Sequence, residues 1–301
     1  MRWIYLNGEL VRRPAAQVSA QDRGLLYGYG LFETMRSYGG RVFRLEEHYR
    51  RLCDGAPRLP MDVPLSLSEL TEAVEAVLKR NDLTDAYLRL TVTAGPSSHA
   101  AARAGEAAVV LFARPLGDYP AEFYRSGMAA IVTAARRNET SPLSRIKSLN
   151  YLDNLLAREE ARRQGADEAI LLNTRGFVAE GSASNVFLVR QGGLLTPSVE
   201  SGALPGIARQ AVLELASAEG LEAVESEVEL SALEDASEAF ITNSVMEVMP
   251  LTSLDGRPVG RSGSADDGHS RPGPLTQRLH SLYRELATAE LRTSEPANPQ
   301  T

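Results

Sequence analysis

Lysine is scarce in this chain. Among 32 Lys and Arg residues only Lys79 and Lys147 are lysine, and the rest are arginine. A guanidinium stays protonated, whereas an ε-amine can lose its proton and attack a carbonyl. The lysine retained in SRIKSLNYLDN (Ser144–Asn154) therefore points to amine chemistry. Lys79 shows that a lysine also persists by chance, so retention alone leaves both readings open.

Three further stretches carry candidate chemistry. In VAEGSASNVF, Glu180 stands between a β-branched run and a Gly/Ser turn. It is either an exposed turn residue or a carboxylate that holds a proton on a ring nitrogen. In LPGIAR, a Gly-led helix start at Gly206 offers the free N–H groups of Ile207 and Ala208, together with the positive end of the helix dipole, which suits a phosphate. Most such starts bind nothing. In HYRRL, His48, Arg50 and Arg51 form either a solvated face, with Leu45 and Leu52 inward, or a phosphate clamp through one arginine. An amine, an acidic ring partner and a phosphate cradle are jointly what pyridoxal phosphate requires.

Bulk composition narrows the partners. A net charge of −7 provides no basic field for nucleic acid. No apolar run approaches the ~20 residues that cross a bilayer, and MRWIYLNGELV lacks the apolar core of a signal peptide. The lone Cys53 cannot form an internal disulfide, which fits a reducing cytoplasm. With four His and no clustered spacing, no metal site is expected.

The elements that must position these residues follow from periodicity and turn chemistry. Strands are expected at Trp3–Leu6 and Glu9–Val11 around Asn7-Gly8, and at Thr34–Tyr38 and Arg41–Phe43 around Gly39-Gly40. Helices are expected over Leu45–Leu52 and, behind a Ser66/Glu69 capping box, to about Arg80. Ala86–Thr93 and Ala107–Phe112 read as strands flanking a small-residue loop, 94–106, expected to be mobile. RPLGDYP (Arg114–Pro120) reads as a connection. Beyond it come a strand at Ala129–Ala134 and a helix from about Tyr151 to Arg163, with Leu152, Leu155 and Leu156 as its apolar stripe and Gly165 closing it. Strands follow at Ala169–Asn173, Phe177–Ala179, Asn185–Val189 and Ala239–Thr242, with a helix over Ile207–Ala218. The polar stretch 261–274 is expected to be mobile and 295–301 disordered.

The chain resembles the class IV aminotransferases, the fold-type IV pyridoxal phosphate enzymes. GLFETMR (Gly30–Arg36), KSLNYLDN from Lys147, AEGSASNVF from Ala179 and TNSVMEVMP (Thr242–Pro250) carry the resemblance. It runs from YLNG (Tyr5–Gly8) to GPLTQRL (Gly273–Leu279). It implies an α/β (α+β) two-domain fold: a small N-terminal α/β domain over 1–116, a connection over 117–124, a larger mixed-sheet cofactor domain over 125–290 and a tail over 291–301. It implies Lys147 as Schiff-base lysine, Glu180 at the pyridine nitrogen, Tyr151 at the phenolic oxygen, and Arg51, Ile207, Ala208 and Ser244 at the phosphate. Ala208 stands where the family often has Thr, removing one hydroxyl. A homodimer is implied as well.

The substrate side is the part that separates family members. Asn243 resembles aminodeoxychorismate lyases, where its amide would meet a substrate carboxylate; its other role is turn formation. The Arg-x-His trap of D-amino acid aminotransferases is missing from Ser97-Ser98-His99, although Arg103 follows. Tyr27, Phe32, Tyr87 and Arg89 resemble branched-chain aminotransferases. The expected reaction is conversion of aminodeoxychorismate to 4-aminobenzoate and pyruvate in folate precursor synthesis, with a branched-chain or broad-range aminotransferase as the alternative.

Overall fold

A computed structural model describes residues 2–97, 106–117, 119–260 and 271–293. Arg103 and His99, most of the 94–106 and 261–274 loops, and the 295–301 tail lie outside the described residues. The chain divides into two compact units, 1–117 with 146–150 and 285–301, and 118–145 with 151–284.

The first unit is built on β1 (Trp3–Leu6), β2 (Glu9–Arg12), β3 (Gly30–Tyr38), β4 (Arg41–Val42), β5 (Ala86–Thr93) and β6 (Val109–Pro115). They form one sheet in the order β2-β1-β6-β5-β3-β4, with every pairing antiparallel. Its helices are α1 (Arg23–Tyr27), α2 (Leu45–Gly55) and α3 (Leu67–Asn81). α3 starts where the sequence places it: Glu69 N donates to Ser66 Oγ, and Ser66 N donates back to Glu69 Oε2 at 2.6 Å. Its face Leu70, Ala73, Val74, Val77 and Leu78 is buried. Strand β3 begins at Gly30, four residues before the Thr34 start expected from sequence, because its first half pairs with β5 up to Gly30↔Thr93.

The second unit contains α4 (Ala121–Ser126), β7 (Met128–Arg137), α5 (Leu152–Arg163), β8 (Glu168–Asn173), β9 (Val178–Gly181), β10 (Asn185–Arg190), β11 (Gly193–Pro197), α6 (Ile207–Ala218), β12 (Ala223–Ser226), α7 (Leu230–Glu234), β13 (Glu238–Asn243), β14 (Glu247–Leu254), β15 (Arg257–Pro258) and most of α8 (Pro274–Thr293). Its sheet runs β12-β11-β10-β13-β14-β7-β8-β9, with β15 on β14. β14–β7, β7–β8 and β11–β12 are parallel and the other pairs antiparallel, so the sheet is mixed. Among the described residues, no helix is long and apolar enough to cross a membrane.

Two sequence expectations change. Arg114 and Pro115 finish β6 and α4 opens at Ala121, so the connection read in RPLGDYP begins only after Pro115. In α5, Leu152, Leu155 and Leu156 point to solvent, at 65 %, 55 % and 58 % exposure. The face turned inward is Asn154, Ala157 and Ala161, and the two alanines pack on Ile131, Ala169 and Leu171 of β7 and β8. Small side chains let helix and sheet approach closely. Periodicity finds a stripe of leucines but does not say which face meets the sheet.

Candidate active site

In the first unit the lysine segment is sewn to β3 by its backbone. Phe32 N donates to Lys147 O and Leu149 N donates to Gly30 O, both at 2.9 Å, around an antiparallel Leu31↔Ser148 bridge. Asn150 Nδ2 donates to Gly28 O at 2.9 Å. Gly30 is required here: a Cβ would lie 2.5 Å from Val92 O and 2.8 Å from Leu149 Cδ1. GLFETMR and KSLNYLDN are thus two sides of one hydrogen-bonded pair. The pairing sets Lys147 over the ring of Phe32, with Nζ 4.5 Å from the centroid, while the Arg89 guanidinium carbon lies 3.9 Å from the same centroid. The cross-strand pairs Phe32↔Thr91, Thr34↔Arg89 and Arg36↔Tyr87 put Phe32, Arg89 and Tyr87 on one face. Tyr87 is covered by Arg114, 4.2 Å from its ring centroid. Tyr27 stands apart on α1, 56 % exposed.

Arg51 is held by a residue that the sequence reading passed over. Its Nε and Nη2 donate to the two oxygens of Glu33 at 2.9 and 2.5 Å, and His48 Nδ1 lies 2.7 Å from Oε2. Glu33 and His48 are both buried. Burial pushes the Glu33 carboxyl up, but the Arg51 charge and the His48 hydrogen bond outweigh it and hold its pKa at about 2. Burial pushes the His48 imidazole down, so at neutral pH it is uncharged and donates its Nδ1 proton to the carboxylate. Arg50 instead pairs with Glu46 at 3.0 Å on the surface.

The Glu33 cluster carries a pH prediction. The folded-state pKa is depressed from 4.5 to about 2, so the cluster stabilises the fold fully above pH 4.5, and that contribution is lost as pH falls toward 2. The shift corresponds to roughly 3 kcal/mol. Glu33→Gln should therefore be clearly less stable to urea than the parent at pH 6, and the gap should close toward pH 2, where a protonated carboxyl resembles an amide. A gap that stays constant across that range would dismiss the ionised pair.

In the second unit Glu180 is a buried strand residue rather than an exposed turn residue. Its Oε1 lies 3.0 Å from Arg137 Nε, and its Oε2 accepts from Leu204 N at 2.8 Å. In the following turn a Cβ at 181 would meet Ser184 Oγ at 2.1 Å, so a larger residue there would displace that hydroxyl from Glu168. Glu168, also buried, accepts from Ser182 Oγ, from Ser182 N at 3.1 Å and from Ser184 Oγ at 2.9 Å. Ser182 O in turn accepts from Tyr151 Oη and Asn154 Nδ2, both at 2.9 Å. Burial, then the charges of Glu180 and Glu168, push the Tyr151 hydroxyl well above its ordinary pKa and keep it protonated.

No side chain caps α6 behind Gly206, which leaves the amides of Ile207 and Ala208 in its first turn for a ligand. A Cβ at Gly206 would sit 2.0 Å from Asn185 Oδ1, and Asn185 Nδ2 donates to Leu204 O at 2.9 Å. Ser244 lies in the turn joining β13 to β14. Asn243 organises that turn: its Oδ1 accepts from Val245 N and Met246 N at 2.9 and 2.8 Å, and its Nδ2 donates to Ala183 O at 3.0 Å. Of its two sequence roles, turn formation is the one displayed. Glu33, Arg137 and Glu168 were missed. Glu33 interrupts the apolar run of β3, and that interruption is the signal that marks it; Glu168 opens β8 behind Asp167 and carries no such mark.

The first unit thus presents an amine beside an aromatic ring and a clamped arginine. The second presents a buried carboxylate, a protonated phenol and an uncapped helix start. The family model for amino-transferase class IV matches residues 30–254. The branched-chain-amino-acid aminotransferase of Escherichia coli K12 is 37 % identical over 297 residues, covering 96 % of this chain and 94 % of the relative. The aminodeoxychorismate lyase of Bacillus subtilis 168 is 35 % identical, covering 94 % of each. The structure of a T.th. branched-chain amino acid aminotransferase with pyridoxamine 5'-phosphate superposes with a TM-score of 0.87 at 33 % identity, over 95 % of this chain and 94 % of that one.

Proposed function

Because the chain belongs to the class IV amino-transferase family, we propose that this pyridoxal-phosphate enzyme is a branched-chain amino acid aminotransferase with a 2-oxo acid as acceptor. The observation that carries the choice is Asn243. It was the residue that leaned toward the lyase, and its amide is engaged in the turn through Val245, Met246 and Ala183. The cofactor fits the residues present. An uncapped α6 start at Gly206, where any Cβ would collide, suits a phosphate, and Glu180 is a buried carboxylate already oriented by Arg137 and Leu204 N.

When bound, pyridoxal phosphate supplies a carbonyl for amines and a protonated ring that draws electrons from the substrate carbon. Lys147 would be the amine that holds the carbonyl, and its free amine would move the proton at the substrate α-carbon. Glu180 keeps the ring nitrogen protonated. Tyr151 stays un-ionised, and its hydroxyl, which donates to Ser182 O, would turn to donate to the phenolic oxygen. Arg51, fixed by Glu33, would be the first unit's phosphate ligand, and Ile207 N, Ala208 N and Ser244 Oγ would be the second unit's. Phe32, Tyr87 and Arg89, which share one face of the sheet, would shape the substrate side. The working form is a cytoplasmic homodimer, in which a second copy covers the exposed Leu25, Leu26 and Tyr27 and the exposed leucines of α5.

The lyase is the second reading, supported by TNSVMEVMP and by the B. subtilis relative. The two separate in one assay. Leucine with 2-oxoglutarate should give glutamate, and aminodeoxychorismate alone should give no pyruvate. Pyruvate and 4-aminobenzoate formed without any oxo acid, with no glutamate from leucine, would overturn the aminotransferase.

A further inference from the structure

Glu247 is placed against its own backbone preference. It follows the turn carrying Ser244, faces Asn243 as the last pair of β13 and β14, and has φ +64. The left-handed region costs a non-glycine residue roughly 1–2 kcal/mol. Its carboxylate is also buried, at 2 % exposure, which requires compensation. A turn alone would favour glycine or asparagine there. The side chain has a specific engagement instead: His280 Nε2 lies 2.8 Å from Glu247 Oε2, and Arg284 Nε lies 3.9 Å away.

His280 is itself held. Its ring stacks on Tyr124, with centroids 4.7 Å apart and planes 11° apart. The Tyr124 hydroxyl donates to Met246 O at 3.0 Å, on the residue next to Glu247. The stacked pair therefore grips the exit of the turn twice, once at a backbone carbonyl and once at a buried carboxylate. Asn243 grips the entrance through Val245 N and Met246 N. Ser244 sits between the two grips.

We propose that Glu247, His280 and Tyr124 are positioning residues that fix the Ser244 turn for the cofactor phosphate. This rests on the reading of Ser244 as a phosphate contact. Left-handed strain persists only where the surroundings over-determine it. Here the grip holds the turn in one conformation, so a phosphate meets it without first paying the entropy of ordering it.

The test compares the enzyme's affinity for pyridoxal phosphate with its affinity for pyridoxal, which lacks the phosphate. Glu247→Gly tolerates the left-handed φ but removes the carboxylate; His280→Phe keeps a ring against Tyr124 but loses the nitrogen. Each should weaken pyridoxal phosphate roughly tenfold, the size of one lost hydrogen bond to a charged group, and leave pyridoxal unchanged. Equal weakening of both ligands, or a fall in melting temperature with the affinity ratio intact, would make the cluster merely structural and overturn the proposal. Ser244→Ala separates the premise. If it leaves the ratio unchanged while Glu247→Gly lowers it, the hydroxyl reading falls and the positioning stands on the turn's backbone. If Ser244→Ala lowers the ratio and Glu247→Gly does not, the positioning falls alone.

Discussion

Lys147→Arg should reduce turnover by roughly 10⁴-fold, because an arginine can neither condense with a carbonyl nor take up the substrate proton at neutral pH. The fold should survive the change. The segment is held by main-chain bonds from Phe32 N and to Gly30 O, and a guanidinium can replace the ammonium over the Phe32 ring. Inactivity would therefore report the missing amine and not a collapsed site. Borohydride treatment of the parent, followed by peptide mass analysis, should place one cofactor per chain on Lys147 and none on Lys79. A label on Lys79, or full turnover in Lys147→Arg, would remove the chemical meaning of the retained lysine.

Glu180→Gln should lower the rate by roughly a hundredfold to a thousandfold, about 3–4 kcal/mol of transition-state stabilisation. A neutral amide cannot keep the ring nitrogen protonated. Cofactor affinity should change little, since the α6 amides and Arg51 lie outside the substitution and the Gln carbonyl can still accept from Leu204 N. The combination of retained affinity and lost rate is the signature, read by cofactor titration beside steady-state kinetics. Loss of cofactor binding would make Glu180 a scaffold residue; an unchanged rate would deny it any part in the chemistry. The Arg137 guanidinium, left facing an amide, costs some stability, which a urea melt reports separately.

The candidate site was legible unevenly, and particular residues show why. Lys147, Glu180 and the Gly206 helix start stand out by residue type and immediate neighbours. Glu33 and Glu168 were not weighed, although each is a buried carboxylate that aligns a named residue or turn. Their partners, Arg51 and Ser182, lie many positions away, and sequence offers no means of joining them. Asn243 had two roles of similar weight, and the carbonyl of Ala183 across the unit settled the visible one.

Local order was written in the chain. The Ser66 capping box, the β5 span Ala86–Thr93 and the α6 span Ile207–Ala218 depend on contacts within about one helical turn or on strand alternation, and each stands as read. The long strand β14 and the helix α8 were not foreseen. Which face is buried, and which distant segment pairs with which, depended on tertiary structure. The leucines of α5 face solvent because Ala157 and Ala161 alone allow close approach to β7 and β8. A reading along the chain cuts domains at single points, yet residues 146–150 group with the first unit because their amides and carbonyls complete the free edge of β3. The choice of lysine at 147 was therefore a sequence fact, and its placement over Phe32 a consequence of strand pairing. Backbone groups must find partners, and only the folded chain decides which ones are within reach.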